Sequence, residues 1–250
     1  MQLSGSDSSD IVISMHRCFS KHVDRRTKKS FFLYVIFPSA VKLMWAAALS
    51  VVLPACNTNT PQLDPERIVL STRHGDLVLA LYPEIAPRHV AQVKKLVRLG
   101  AYDSTYFFRI EPGFLIQITD ILNRLDPLTD AQRAAHHPLP AEFSTRLRHR
   151  LGTLSMARWE DPDSATSSFS ILLGPAPHLD GHYTLFGHVE NGGSVLEKIV
   201  RTPRDGTTPL SPVVVTRAYI ISDIEGYYAR HGRDPVYTIG NHTTGSVWHR

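Results

Sequence analysis

Cysteine is almost absent from this 250-residue chain: Cys18 and Cys56 are its only two. Both precede the segment that reads as folded, so no disulfide staples that segment's interior. Charge of one sign is also missing where it would count. The pI near 9.1 invites a nucleic-acid reading, but Lys+Arg stand at 7 against 3 Asp+Glu up to Cys56 and at 20 against 20 from Asn57 onward. The folded part is neutral by this count, and no electrostatic case for DNA or RNA remains. Several catalytic signatures are absent too. No H-E-x-x-H, paired C-x-x-C, G-x-S-x-G, Walker A or G-x-G-x-x-G spacing occurs, so zinc-hydrolase, serine-hydrolase and nucleotide readings lack an anchor. The 13 histidines are densest at His136-His137 with His149, which read as solvated loop residues, and no metal is expected. Asp161-Pro162-Asp163 lacks the acidic series of a calcium loop and reads as a turn.

What is present is a globular composition, 42% hydrophobic with 9% aromatic residues. One domain with appendages is the expectation: a targeting region at 1–56, a polar tether at 57–66, a domain at 67–222 and a tail at 223–250 without clear period. The basic KHVDRRTKK at 21–29 precedes the apolar FFLYVIFPSAVKLMWAAALSVVLPAC at 31–56. The second half of that run has the layout of a signal peptide. LPAC resembles a bacterial lipoprotein cleavage box, making Cys56 the expected lipid-attachment residue of an envelope protein facing the periplasm. On that reading residues 1–40 are an over-extended gene start. The alternative is an uncleaved signal anchor, against which Lys42 counts, because a charge at mid-bilayer costs about 2.5–3.5 kcal/mol on insertion scales.

IVLST (68–72), the HGD turn and LVLALY (77–82) read as a hairpin. APRHVAQVKKLVRLG (86–100) reads as a helix with Pro87 in its first turn, Val90, Val93, Leu96 and Val97 on one face and Gly100 at its end. Strand-like segments follow at 106–110, 114–119, 151–157, 168–174, 184–189 and 213–220. SVLEKIVRT (194–202) offers a second helix with Ser194 as its N-cap. Residues 121–150 read as a polar excursion with a helical turn at PLTDAQRAAHH. Many strands with two separated helices suggest an antiparallel barrel, since closure removes exposed edges, although composition alone leaves a sandwich open. Simple alternation places Phe107 with Arg109 on one face of their strand and Leu115 with Gln117 on one face of the next.

The order HGDLVLALYPEIAPRHVAQVKKLVRLGAYDSTYFFRIEPGFLIQ, LPAEF, GTLSMAR, DPDSATSSFSILLG, LDGHYTLFGHV, VVVTRAYI resembles the cyclophilin-type peptidyl-prolyl cis-trans isomerases over roughly residues 67–221. The resemblance implies an all-β-dominated fold, a closed eight-stranded antiparallel β-barrel capped by two α-helices. It implies no cofactor, and proline-containing unfolded or extended polypeptides as partners. It also implies a catalytic role for Arg109, Phe114 and Gln117, with Leu115, Met156, Ala157, Arg158, Ser168, Ser170, Leu179 and Tyr183 as substrate-binding positions.

This chain departs from the family pattern at several of those positions. Leu115 replaces a methionine, Ile118-Thr119 a Gly-Gly pair, Arg158 an asparagine, and Tyr183 and His178 a histidine and a tryptophan. Ser168 and Ser170 replace a glutamine and an aromatic. A hydroxyl in place of buried ring area weakens an apolar pocket by a few kcal/mol. Two further readings therefore stand beside the enzyme: a degenerate peptide-binding module, and an envelope protein whose groove is filled by its own 121–150 segment or tail.

Overall fold

The computed structural model describes residues 60–236; the 1–56 region with Cys56, and the end of the tail, lie outside the described residues. Ten strands occur among them: β1 (Arg67–Thr72), β2 (Gly75–Leu81), β3 (Tyr106–Glu111), β4 (Leu115–Ile118), β5 (Thr153–Met156), β6 (Phe169–Leu172), β7 (Leu185–Asn191), the two-residue β8 (Arg204–Asp205) and β9 (Thr208–Pro209), and β10 (Val213–Ile221). Eight of them close into the expected barrel in the order β1-β10-β3-β4-β6-β5-β7-β2, every pair antiparallel.

One side of each strand is large and apolar, and in a barrel of this size those side chains fill the inside. Leu70, Leu79, Phe107, Ile110, Ile116, Leu154, Ile171 and Phe186 are all buried in a single cluster. No room is left within for a substrate, so any site must lie on the outer wall or a rim.

The helices are α1 (Pro87–Arg98), α2 (Asp130–Ala135), α3 (Gly193–Val200) and α4 (Ile224–His231). α1 buries Val90, Val93, Leu96 and Val97 as its periodicity predicts. It stops at Gly100, whose φ of 65° suits a residue without Cβ. α3 buries Val195, Leu196, Ile199 and Val200. Each such aliphatic side chain contributes about 1.5–3 kcal/mol when removed from water, and these two helices join the same core cluster as the strands.

Six local expectations are corrected. The N-cap of α3 is Gly192, with φ 112°, not Ser194, and it offers no side-chain cap. The cap comes instead from the tail: the Asp234 carboxylate accepts from the Ser194 N–H at 2.7 Å and the Asp234 carbonyl from the Gly192 and Gly193 N–H groups. The tail also carries a helix that the sequence did not announce. α4 lays Tyr227 and Tyr228 over Val69 and Val78 on the outer wall, where their hydroxyls donate to Asp76 (2.6 Å) and Glu190 (3.0 Å).

In β3 the register slips between Phe107 and Arg109, so Phe107 and Ile110 point into the core while Arg109 lies outside. The alternation that paired Phe107 with Arg109 fails because a bulge adds one residue to the strand. Finally, His149 is 3% exposed rather than solvated. The 121–150 excursion also contributes Ile121 and Ala135 to the core, and the segment expected as tether is docked from Pro61 on, with Asp64 bonded to Lys94 at 2.7 Å.

Candidate active site

Antiparallel register decides which outer-wall side chains become neighbours, because residues directly opposite one another share a face. Arg109 opposes Gln117, Gln117 opposes Ser170, and Ser170 opposes Ser155. Four polar residues from β3, β4, β6 and β5 thus form one row across the barrel wall, about 14 Å long at the usual strand spacing. Leu115 opposes Leu172 two residues along the same strands. Those two, with Ala176, Phe114 and Leu179, make a separate apolar cluster on the outer wall. A polar row therefore borders an apolar notch at a distance of two strand residues, about 7 Å.

The turn at Pro112-Gly113 shapes this border. Gly113 has φ 78°, a conformation that a side chain would strain, and its backbone packs against Gly174, where an added Cβ would meet the Gly113 carbonyl oxygen at 2.7 Å. The tight turn brings Phe114 back beside the strand it follows. Its ring lies 5.9 Å from the Arg109 guanidinium carbon and 5.4 Å from the His178 ring. Arg109 also pairs with Glu111 at 2.6 Å, two residues along β3, and both side chains are more than a third exposed. The guanidinium thus sits over the edge of the notch, held from one side by a carboxylate. Asp120, a second conceivable partner, is engaged elsewhere by His136, Thr166 and Ser167.

The rest of the row is fixed by hydrogen bonds. The Gln117 amide donates to Ser168 Oγ at 3.2 Å, and Ser168 donates to the Ile118 carbonyl at 2.7 Å. Ser168 thereby anchors Gln117 from behind. Ser170, 7% exposed, lies between Gln117 and Ser155 with no aromatic ring in the row. Behind Ser155 runs a buried chain: Ser155 Oγ meets His149 Nε2 at 3.0 Å and His149 Nδ1 meets Asp180 at 2.9 Å. Burial lowers the His149 pKa more than Asp180 raises it, so the ring is neutral at neutral pH. Burial opposes ionisation of Asp180, but bonds from the His149 backbone and ring outweigh it and keep its pKa below the ordinary value. Ser155 is 3% exposed, and the chain props β5 rather than offering a nucleophile.

The remaining positions are placed as follows. Met156 turns its side chain into the main core, leaving only its backbone near the row. Ala157 donates its N–H to the Ser168 carbonyl. Arg158 spends its guanidinium on the carbonyls of His182, Trp159 and Glu160 and covers the Tyr183 ring at 4.4 Å. Arg158 and Tyr183 thus clamp one loop to another. Sequence reasoning missed Leu172, Ala176, His149 and Asp180. Alternation in LGTLSMA could have set Ser155 opposite in face to Leu154, but nothing local marks His149 or Asp180. Among the described residues no group of three metal-type ligands converges, and no helix is long and apolar enough to cross a membrane.

Comparison with known proteins bears on the fold and the family. The family model for cyclophilin type peptidyl-prolyl cis-trans isomerase/CLD matches residues 67–220. A peptidyl-prolyl cis-trans isomerase of Arabidopsis thaliana is 42% identical over 165 residues, covering 64% of this chain and 73% of the relative. A probable peptidyl-prolyl cis-trans isomerase of Brucella suis is 41% identical over 169 residues, covering 64% and 86%. A Cryptosporidium parvum cyclophilin type peptidyl-prolyl cis-trans isomerase, crystallised in the presence of the dipeptide Ala-Pro, aligns with TM-score 0.55 and 25% identity over 63% of this chain and 99% of its own.

Proposed function

The chain belongs to the cyclophilin-type peptidyl-prolyl cis-trans isomerases, and we propose that it works in the bacterial cell envelope, with Arg109 stabilising the twisted X-Pro amide of an unfolded or extended client. The observation that carries this reading is the guanidinium beside an apolar notch: Arg109 next to Phe114, in register with Gln117, and Leu115 with Leu172 and Leu179 alongside. An X-Pro bond resists rotation through amide resonance, with a barrier of about 18–20 kcal/mol, and twisting returns a lone pair to the prolyl nitrogen. A donor fixed opposite that nitrogen binds the twisted state better than either planar one. A guanidinium suits the task because it is permanently charged and presents a planar fork of donors. The notch takes the prolyl ring, Gln117 is steadied by Ser168 to meet the peptide backbone, and no proton or electron changes hands.

Bringing a step of tens of seconds to milliseconds takes about 5–7 kcal/mol, which one hydrogen bond and a dry groove share. A protease-free proline-peptide isomerisation assay on the chain tests the reading: turnover supports it, and peptide binding without turnover favours the second reading, a binding module. Two observations favour that second reading. Glu111 already occupies Arg109, and Ser170 leaves the row without a ring.

The envelope location rests on the apolar run at 31–56 and the LPAC box, with Cys56 as the acylated residue and the membrane as partner. Mass spectrometry of the mature N-terminus tests it; an unacylated Cys56 in a full-length chain removes the lipoprotein and leaves the signal anchor.

A further inference from the structure

A cavity of about 330 Å³ lies on a different part of the wall, over β7 and the end of β2, walled by residues from both ends of the described chain. That volume falls at the lower end of small-molecule sites. Its body is apolar and aromatic: Pro61 and Leu63 on one side, Tyr228 and Pro235 on the other, and the Tyr82 ring stacked on His188 at 5.4 Å. His188 is 8% exposed, yet its buried Nδ1 has no hydrogen-bond partner among the described residues. That nitrogen faces the protein interior, so the ring presents only its other nitrogen to the cavity.

The polar balance of the wall indicates the class of ligand. Glu190, its one carboxylate, is satisfied: Arg67 donates to both oxygens, at 2.6 and 3.3 Å, and the Tyr228 hydroxyl donates at 3.0 Å. The groups without partners among the described residues are mostly donors. Tyr82 contributes its hydroxyl, Asn191 its amide nitrogen, while its oxygen accepts from the Asp234 N–H, and Arg233 contributes Nε and Nη1, since only Nη2 is committed, to Glu225. Burial, reinforced by the Arg67 charge, pulls the His188 pKa down to about 4 against the pull of Glu190, so the ring is neutral and adds no cation, and only Nε2 is open to the cavity because Nδ1 is buried.

We propose that this cavity is a binding site, separate from the isomerase groove, for a small organic carboxylate with an apolar or aromatic body. The carboxylate meets Asn191, the Tyr82 hydroxyl and the Arg233 guanidinium, which is stacked on the Tyr228 ring at 4.3 Å, and the body packs against Tyr82, Leu63, Pro61 and Pro235. The groups belong to segments flanking the barrel, Thr60–Leu63 and Tyr228–Pro235, as well as to Tyr82, just past the end of β2, and to β7.

Benzoate is the probe, with benzylamine and benzyl alcohol as cationic and neutral controls of the same body. The full chain, labelled at its histidine rings, is titrated with each and followed by the His188 NMR signals. Saturable benzoate shifts at about millimolar concentration are expected, with Arg233→Gln and Tyr82→Phe each weakening binding by about three- to tenfold, which corresponds to 0.7–1.4 kcal/mol, and leaving isomerase activity unchanged. No saturable benzoate response overturns the proposal. So does equal binding of benzylamine or benzyl alcohol, or benzoate binding that Arg233→Gln leaves intact.

Discussion

Removing the Arg109 side chain separates the two readings of the groove most cleanly. A single donor aimed at charge that develops in a transition state is worth about 2.7–4 kcal/mol in a dry site. Arg109 is 37% exposed and shares its charge with Glu111 at 2.6 Å, so the lower end applies. Arg109→Ala is therefore expected to lower kcat/KM for a proline tetrapeptide by about 100-fold, close to 2.7 kcal/mol. Arg109→Lys keeps a charge but loses the planar fork, and is expected to recover less than about tenfold of that loss. The fold tolerates either change. Both members of the Arg109–Glu111 pair are over a third exposed, and such pairs contribute about 0–1 kcal/mol, so Tm moves by less than about 4 °C. The assay is isomerisation without a coupling protease, with thermal unfolding as the control. A folded Arg109→Ala variant within about threefold of the parent refutes electrostatic catalysis at this residue and leaves the notch alone to explain turnover.

Glu111→Gln frees the guanidinium without moving it and is expected to leave kcat/KM unchanged or raise it by up to about threefold; a tenfold fall in the same assay makes Glu111 part of the machinery. Asp234→Ala removes the cap that the tail supplies to α3 and is expected to lower stability by about 1 kcal/mol, or about 2–4 °C in Tm by calorimetry. Gly192→Ala is expected to cost about 1–3 kcal/mol in a denaturant titration, because φ is 112° there and a Cβ would lie 2.6 Å from the Asp76 carbonyl oxygen. His188 links stability to pH. Its folded pKa lies below the unfolded value, so the unfolded chain binds the extra proton first and stability falls as pH drops from about 6.5 to about 4. The loss is on the order of 3 kcal/mol, and His188→Gln is expected to flatten that window; the paired carboxylates Asp120, Asp180 and Glu190, whose pKa values are lowered, lose their contribution as pH falls through those values.

The elements whose partners are local were legible from the chain. Val90, Val93, Leu96 and Val97 mark α1 through the helical period alone, and FFRI with FLIQ marks a hairpin because Pro112-Gly113 permits only a tight turn. α4 escaped because its buried face is two tyrosines that seek the far carboxylates Asp76 and Glu190, a preference no local pattern encodes. The same holds for the cap of α3, which lies forty residues downstream of Ser194 at Asp234.

By itself the sequence determined the eight barrel strands and the helices α1 and α3, since each depends on residues close in the chain, and the order of linked motifs pointed to the family and through it to a closed barrel. Only the tertiary structure decided what stands next to what on the outer wall. The bulge in β3 turned Arg109 outward, and register set Arg109, Gln117, Ser170 and Ser155 in one row with the Asp180–His149 chain behind it. The physical reason is that strand register and bulges are fixed by packing across the whole barrel, so residues distant in sequence become neighbours only once the sheet has closed.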